Sequence, residues 1–223
     1  MYQTIVLVHC KSWMTWFSFY LSFFVLLLQA WYLLRAESWN EAHKVIVEKI
    51  APDAIINDDY EFFFSLLVDL ANLQQDGGDN DDGGSSKSTT KKVTNWQTQG
   101  QVFYDFITVD LKVRELLEKR DETNLTYDIQ ELRPKVLSLC QRINSLPVTN
   151  AKERLCQSEI AKKMAYLTRA ILNLQGDENQ NQTEILAQNL AQLPLPDDYM
   201  LQELRTLNRI HMKELLHHPG RRN

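Results

Sequence analysis

The chain has 223 residues, 44% of them apolar, and sets 24 Lys and Arg against 29 Asp and Glu for a net charge of −5. That length supports one or two domains with a sizeable core, and the acidic balance argues against a nucleic-acid binder, which needs a basic excess or stripe. Of the seven glycines, Gly77, Gly78, Gly83 and Gly84 share one short tract, leaving too few for the turns of a β-rich, dinucleotide-binding or P-loop domain.

The chain opens with an apolar segment, residues 1–34. From Ser12 to Leu34 it carries no charge, and about twenty such residues span a bilayer as a helix. The segment is therefore expected to form an apolar helix, either a membrane span or signal anchor through 12–34 or an N-terminus foreign to the rest of the chain. The run is long and no small-x-small site follows, which argues against a cleavable signal peptide.

After Arg35 the apolar period is close to 3.6, and alternation of period two is hard to find. The first helix is predicted to open at Ser38 with Glu41 three residues on, the spacing at which two backbone donors are satisfied reciprocally. Its face is Trp39, Ala42, Ile46 and Ile50, and Pro52 is expected to end it. Asn57 and Asp58 are predicted to cap a second helix faced by Tyr60, Phe63, Phe64, Leu67 and Leu70. Residues 76–92 hold only Gly, Ser, Thr, Asn and charged residues, and are expected to form a flexible loop without the ligand spacing of a calcium site.

The third helix is long, with Val102, Phe103, Phe106, Ile107, Val113, Leu116 and Leu117 on its buried side. The fourth carries Ile129, Leu132, Val136, Leu139, Cys140 and Ile143, with Pro134 predicting a kink or a start just before it. Asn150 and Glu153 repeat the capping spacing and launch a fifth, lined by Leu155, Ile160, Met164, Leu167, Ile171 and Leu174 and ended by Gly176. A short sixth helix begins near Glu184 and stops before Leu193-Pro194-Leu195-Pro196. The seventh starts at Asp197 and Asp198, with Leu201, Leu204, Leu207, Ile210 and Leu215 on its face, and residues 217–223 read as a tail. The expected fold is all-α: an irregular solenoid or bundle of about seven helices over 35–216, without the fixed period of a regular repeat array.

No catalytic signature is present. His43 lies on the first helix, at the border of its buried face, while His211, His217 and His218 gather at the end of the last, where the helix dipole favours a positive imidazole. No ligands at metal-binding spacing accompany them, so surface histidines are expected. Glu115, Glu118 and Glu122 fall on outward positions. The sequons at Asn124 and Asn181 carry no weight outside a secretory lumen. Cys10, Cys140 and Cys156 are odd in number and scattered, so free thiols are expected, with Cys140 and Cys156 acting as small apolar groups. These residues give no catalytic, cofactor or metal site and leave the partner-binding residues unknown. What remains is docking through helix faces.

The stretch Ser38-Trp39-Asn40-Glu41-Ala42-His43-Lys44-Val45-Ile46-Val47-Glu48, continued by Ile50-Ala51-Pro52-Asp53-Ala54-Ile55-Ile56-Asn57, closely resembles the C-terminal tail of the nucleoporin 96 family, released from the nucleoporin 98/96 precursor. Further segments agree in order: Trp96 to Ile107 with Gly100 and Phe103-Tyr104-Asp105; Lys135-Val136 to Ile143; Asn150-Ala151-Lys152 with Gln157-Ser158 and Ala161-Lys162. Leu193-Pro194, Pro196, Asp198-Tyr199 and Glu203-Leu204-Arg205 complete the match, which runs from about Tyr32 to Leu216. The resemblance implies a helical scaffold subunit of the Y-shaped complex in the nuclear pore, at the nuclear envelope. It would bind other helical nucleoporins in support of protein and messenger-RNA transport, with no catalysis, cofactor, small-molecule substrate or direct nucleic-acid contact. The family's self-cleaving domain, propeller-completing strands and solenoid crown have no counterpart in the matched residues. The resemblance does not reach residues 1–30, so the single-pass membrane alternative stays open on sequence.

Overall fold

The computed structural model describes residues 21–75, 93–118, 125–174 and 182–217. The loop expected over 76–92, residues 1–20, Cys10, Glu122, Asn124, Gly176, Asn181 and residues 218–223 lie outside them. The described residues are all-α, with no strand.

They form α1 (21–35), α2 (Trp39–Val45), a π turn (Ile46–Ile50), α3 (Ala51–Ile56), α4 (Glu61–Gln75), α5 (Gly100–Glu118), α6 (Leu125–Asn144), α7 (Ala151–Leu174), α8 (Gln182–Gln192) and α9 (Asp197–His217). Because α2, the π turn and α3 are one continuous rod, seven rods follow α1, as the periodicity predicts. The chain divides into two compact units, Met1–Gln101 and Val102–Asn223, with the division falling just inside α5.

In the first unit, α1 ends in two nested bonds, Ser38 N–H to Leu33 C=O at 3.0 Å and Glu37 N–H to Leu34 C=O at 3.2 Å. Glu37 takes the left-handed position these require, with φ 58°. Ala30 and Leu34 are buried, whereas Leu21, Phe24, Val25, Leu28 and Tyr32 are exposed along the other side. Among the described residues no helix is long and apolar enough to cross a membrane. Residues 12–20 of the expected span lie outside the described residues.

Three expectations in this unit need correction. Ser38 precedes α2 but makes no side-chain cap bond, so the reciprocal pair with Glu41 does not form. Pro52 does not end the first rod. A proline lacks the N–H for the bond four residues back, and its ring strikes that carbonyl. The π turn just before it widens the ladder, with Ala51 N–H reaching Ile46 C=O, and the rod runs on to Ile56. Asn57 and Asp58 close α3 and do not open α4. Asn57 Nδ2 donates to Asp53 C=O at 2.8 Å, and Asp58 sits at φ 58° between bonds from Asp58 N–H to Ile55 C=O and from Asp59 N–H to Ala54 C=O. Tyr60 C=O accepts the first bond of α4 from Phe64 N–H at 2.7 Å. On α4, Phe63, Leu67 and Leu70 are fully buried and Tyr60 nearly so; Phe64 is half-buried.

In the second unit α6 packs on α7 and α8, α7 on α8, and α8 on α9. The predicted α6 face is buried without exception: Ile129, Leu132, Val136, Leu139, Cys140 and Ile143. Each such side chain contributes about 1.5–3 kcal/mol through burial. Pro134 is neither a start nor an end; α6 begins nine residues before it and continues through it. On α7, Leu155 is exposed where burial was predicted, and Cys156 fills the core position beside it. On α9, Leu207 is buried as predicted, whereas Leu201 and Leu204 are exposed and Glu203 is buried instead. Arg169 of α7 supplies the reason, pairing with Glu203 across the two helices.

Candidate docking surface

The start of α7 follows the predicted capping spacing closely. Asn150 Oδ1 accepts the Glu153 N–H at 2.9 Å, and the Glu153 carboxylate accepts from Thr149 N–H at 2.6 Å and Thr149 Oγ1 at 2.8 Å. Burial alone would lift the Glu153 carboxyl. The hydrogen bonds from Thr149 and Asn150 outweigh it and hold its pKa below the usual value. The predicted cap forms, with the return bond shifted one residue back to Thr149. One turn further on, Gln157 Nε2 donates to Ile143 C=O at 2.9 Å, satisfying a carbonyl at the end of α6. The α6–α7 corner is thereby fixed from both sides.

Beside this corner lies an open groove of about 760 Å³, within the range of sites that hold ligands or side chains. It is lined by Leu146 and Val148 of the corner, Leu155 of α7, and Pro194, Leu195 and Pro196 of the α8–α9 connection. The connection is itself held rigid: Leu195 N–H is bound to Leu193 C=O at 2.8 Å, and Pro196 C=O accepts Met200 N–H at 2.8 Å to open α9. Arg154 also lines the groove; it is exposed and makes no ion pair among the described residues. The groove was not foreseen in the sequence, because its walls come from segments about fifty residues apart. The one local trace is the Leu193-Pro194-Leu195-Pro196 string.

The residues weighed for chemistry are not brought together. His43, expected at the border of the buried face, is fully buried in the first unit; its ring centroid lies 6.0 Å from that of Trp96, and its Nε2 has no partner among the described residues. Desolvation lowers its pKa to about 4, so the imidazole is neutral. His211 and His217 belong to α9, and His218 lies outside the described residues. Glu115 and Glu118 are exposed on α5. Cys140 and Cys156 are buried free thiols, and burial pushes Cys140 up to about 11, which keeps it protonated and unreactive. Among the described residues no group of His, Cys, Asp and Glu is placed to hold a metal ion.

The described residues define an all-α fold with no strand. No family model matches the chain. The chain is 36% identical over 189 residues to the nuclear pore complex protein Nup98-Nup96 of Drosophila melanogaster, an alignment covering 85% of the chain and 9% of that protein. The chain thus spans about a tenth of the length of the curated relative it matches, and its resemblance to the nucleoporin 98/96 precursors holds over most of its own length.

Proposed function

We propose that this chain is a structural component of the nuclear pore complex, placed at the nuclear envelope and working by docking helix faces onto other helical nucleoporins. The 36% identity to Nup98-Nup96 across 85% of the chain carries this reading. The all-α body agrees with it, as do the neutral buried His43 and the inert Cys140, neither of which is poised for chemistry. Residues 35–216 act as the docking module, with subunits of the Y-shaped scaffold as partners. The chain supports protein and messenger-RNA transport as an architectural part, without catalysis. The membrane-spanning alternative draws no support from the described residues.

The test is localisation and co-purification of the tagged full chain. It is expected to concentrate at the nuclear rim and to co-purify with Y-complex subunits in stoichiometric amounts. A diffuse distribution, with no scaffold nucleoporin retained in physiological salt, would reject the proposal.

A further inference from the structure

We propose that the outer face of α9 pairs two copies of this chain, running antiparallel about a two-fold axis. The inference goes beyond the nuclear-pore reading and does not depend on it.

Two sides of α9 differ in burial. Glu203 and Leu207 are buried, while Leu201, Leu204, Asn208 and Met212 are exposed. At about 100° per residue those four fall within roughly 80° of one another, turned away from Glu203. Leu201 is 55% exposed, Leu204 50% and Met212 54%, so three large apolar side chains share one open stripe of a single helix. Leu201, Leu204 and Asn208 follow the i, i+3, i+7 spacing of a helix-pairing seam, with Asn208 at a polar seam position.

The occupant is decided by charge. Asp197, Asp198, Arg205 and Arg209 are all exposed, and none makes an ion pair among the described residues. Asp198, Arg205 and Arg209 lie on one flank of the stripe, within about 40° of one another, the acid at the helix start and the bases roughly two and three turns on. A two-fold axis across the stripe brings this flank against the same flank of the second copy, running the other way. Asp198 of each copy then faces the arginines of the other, and the match is made twice. With Leu201 opposite Leu204 of the second copy, Asp197 falls opposite Asn208, whose amide can donate to the carboxylate. A parallel pair would instead set the charged flank against the other one, which carries Met200 and no charge over residues 197–212, and would set Asp197 against itself. The face is therefore complementary to a second copy of itself, in one direction only.

Sedimentation equilibrium of the purified full chain tests the pairing. A reversible monomer–dimer equilibrium is expected, with a dissociation constant of about 10–100 µM, the weak end that one pair of short helix faces supports. Leu204→Glu, at an exposed position, is expected to raise that constant roughly tenfold or more with the helical circular-dichroism signal unchanged. Asp197→Lys with Asp198→Lys makes the charged flank wholly basic, and Arg205→Glu with Arg209→Glu makes it wholly acidic. Each of these double variants should self-associate roughly tenfold more weakly, whereas the two mixed should form a heterodimer within about twofold of the original constant. That recovery belongs to the antiparallel arrangement, since a parallel pair does not bring the charged flanks together. A chain that stays monomeric up to about 200 µM would overturn the inference. So would a dimer indifferent to Leu204→Glu, or charge variants of unchanged helicity that do not recover on mixing.

Discussion

Gly100 and Trp96 are packed so closely that position 100 has no room for a side chain. A Cβ there would stand 2.4 Å from both Cε3 and Cζ3 of Trp96 and 2.9 Å from Nε2 of His43. The indole cannot swing aside freely, because Trp96 is buried and its Nε1 donates to Gln101 Oε1 at 2.7 Å. Asn40 Oδ1, accepting from Thr94 N–H and Oγ1 at 2.8 and 2.9 Å, fixes the start of the same turn against α2.

Gly100→Ala is therefore expected to destabilise the protein by about 2–3 kcal/mol, the scale of overpacking in a closed core, despite alanine's better helix propensity. Urea denaturation measures it. Trp96→Leu removes the offending ring atoms, so the double variant should lose less than the sum of the two single losses. Strict additivity would show that the close approach contributes nothing.

His43 makes the same cluster sensitive to acid. Its folded pKa of about 4 lies below the ordinary 6.5, with desolvation as the cause. Between those values the unfolded chain binds more protons than the folded one, so stability is fully present above pH 6.5 and falls as pH drops toward 4. Below 4 both states are protonated and the loss from this residue levels off. His43→Gln should flatten the slope across that window, measured as urea midpoints from pH 4 to 7. An unchanged slope would place the acid sensitivity elsewhere.

Legibility followed how local each decision was. The α6 face could be read residue by residue because Ile129 to Ile143 form one apolar stripe with no competing one. On α9 the stripe is read only in part: Leu207 is buried as predicted, but Glu203 is buried where Leu201 and Leu204 were expected, because Arg169, thirty-four residues away, takes the Glu203 carboxylate. Asn57 and Asp58 misled for a chemical reason: short polar side chains favour helix starts, yet they also tolerate the left-handed backbone at helix ends. Pro52 looked like a terminator because the π turn that accommodates it has no composition of its own. The groove was the least legible feature, since no window of sequence contains both its walls.

Pro134 offers a gain in stability. It sits on the exposed side of α6, well inside the helix, where it withholds the N–H that Gln130 C=O would accept. An interior proline costs about 3 kcal/mol relative to alanine, offset by roughly 0.4–1 kcal/mol from the stiffer unfolded chain. Pro134→Ala is expected to raise stability by about 2 kcal/mol, with no packing lost because the ring is exposed. A loss of stability on substitution would mean that Pro134 shapes α6 for its contacts with α7 and α8.

The Arg169–Glu203 pair tests whether the rotation of α9 is set by charge. Glu203 is 6% exposed and Arg169 28%, and Arg169 Nε has no partner of its own among the described residues. Removing either member strands the other in a poorly solvated place, so Arg169→Met and Glu203→Leu are each expected to cost about 2–4 kcal/mol, the partial exposure of Arg169 keeping the figure below that of a fully buried pair. The double variant leaves no orphaned charge and should recover most of that loss. If α9 is held only by Leu207 and its apolar neighbours, both single variants will cost under ~1 kcal/mol and the cycle will close without coupling. A coupled cycle would instead make the ion pair the reason Leu201 and Leu204 face outward.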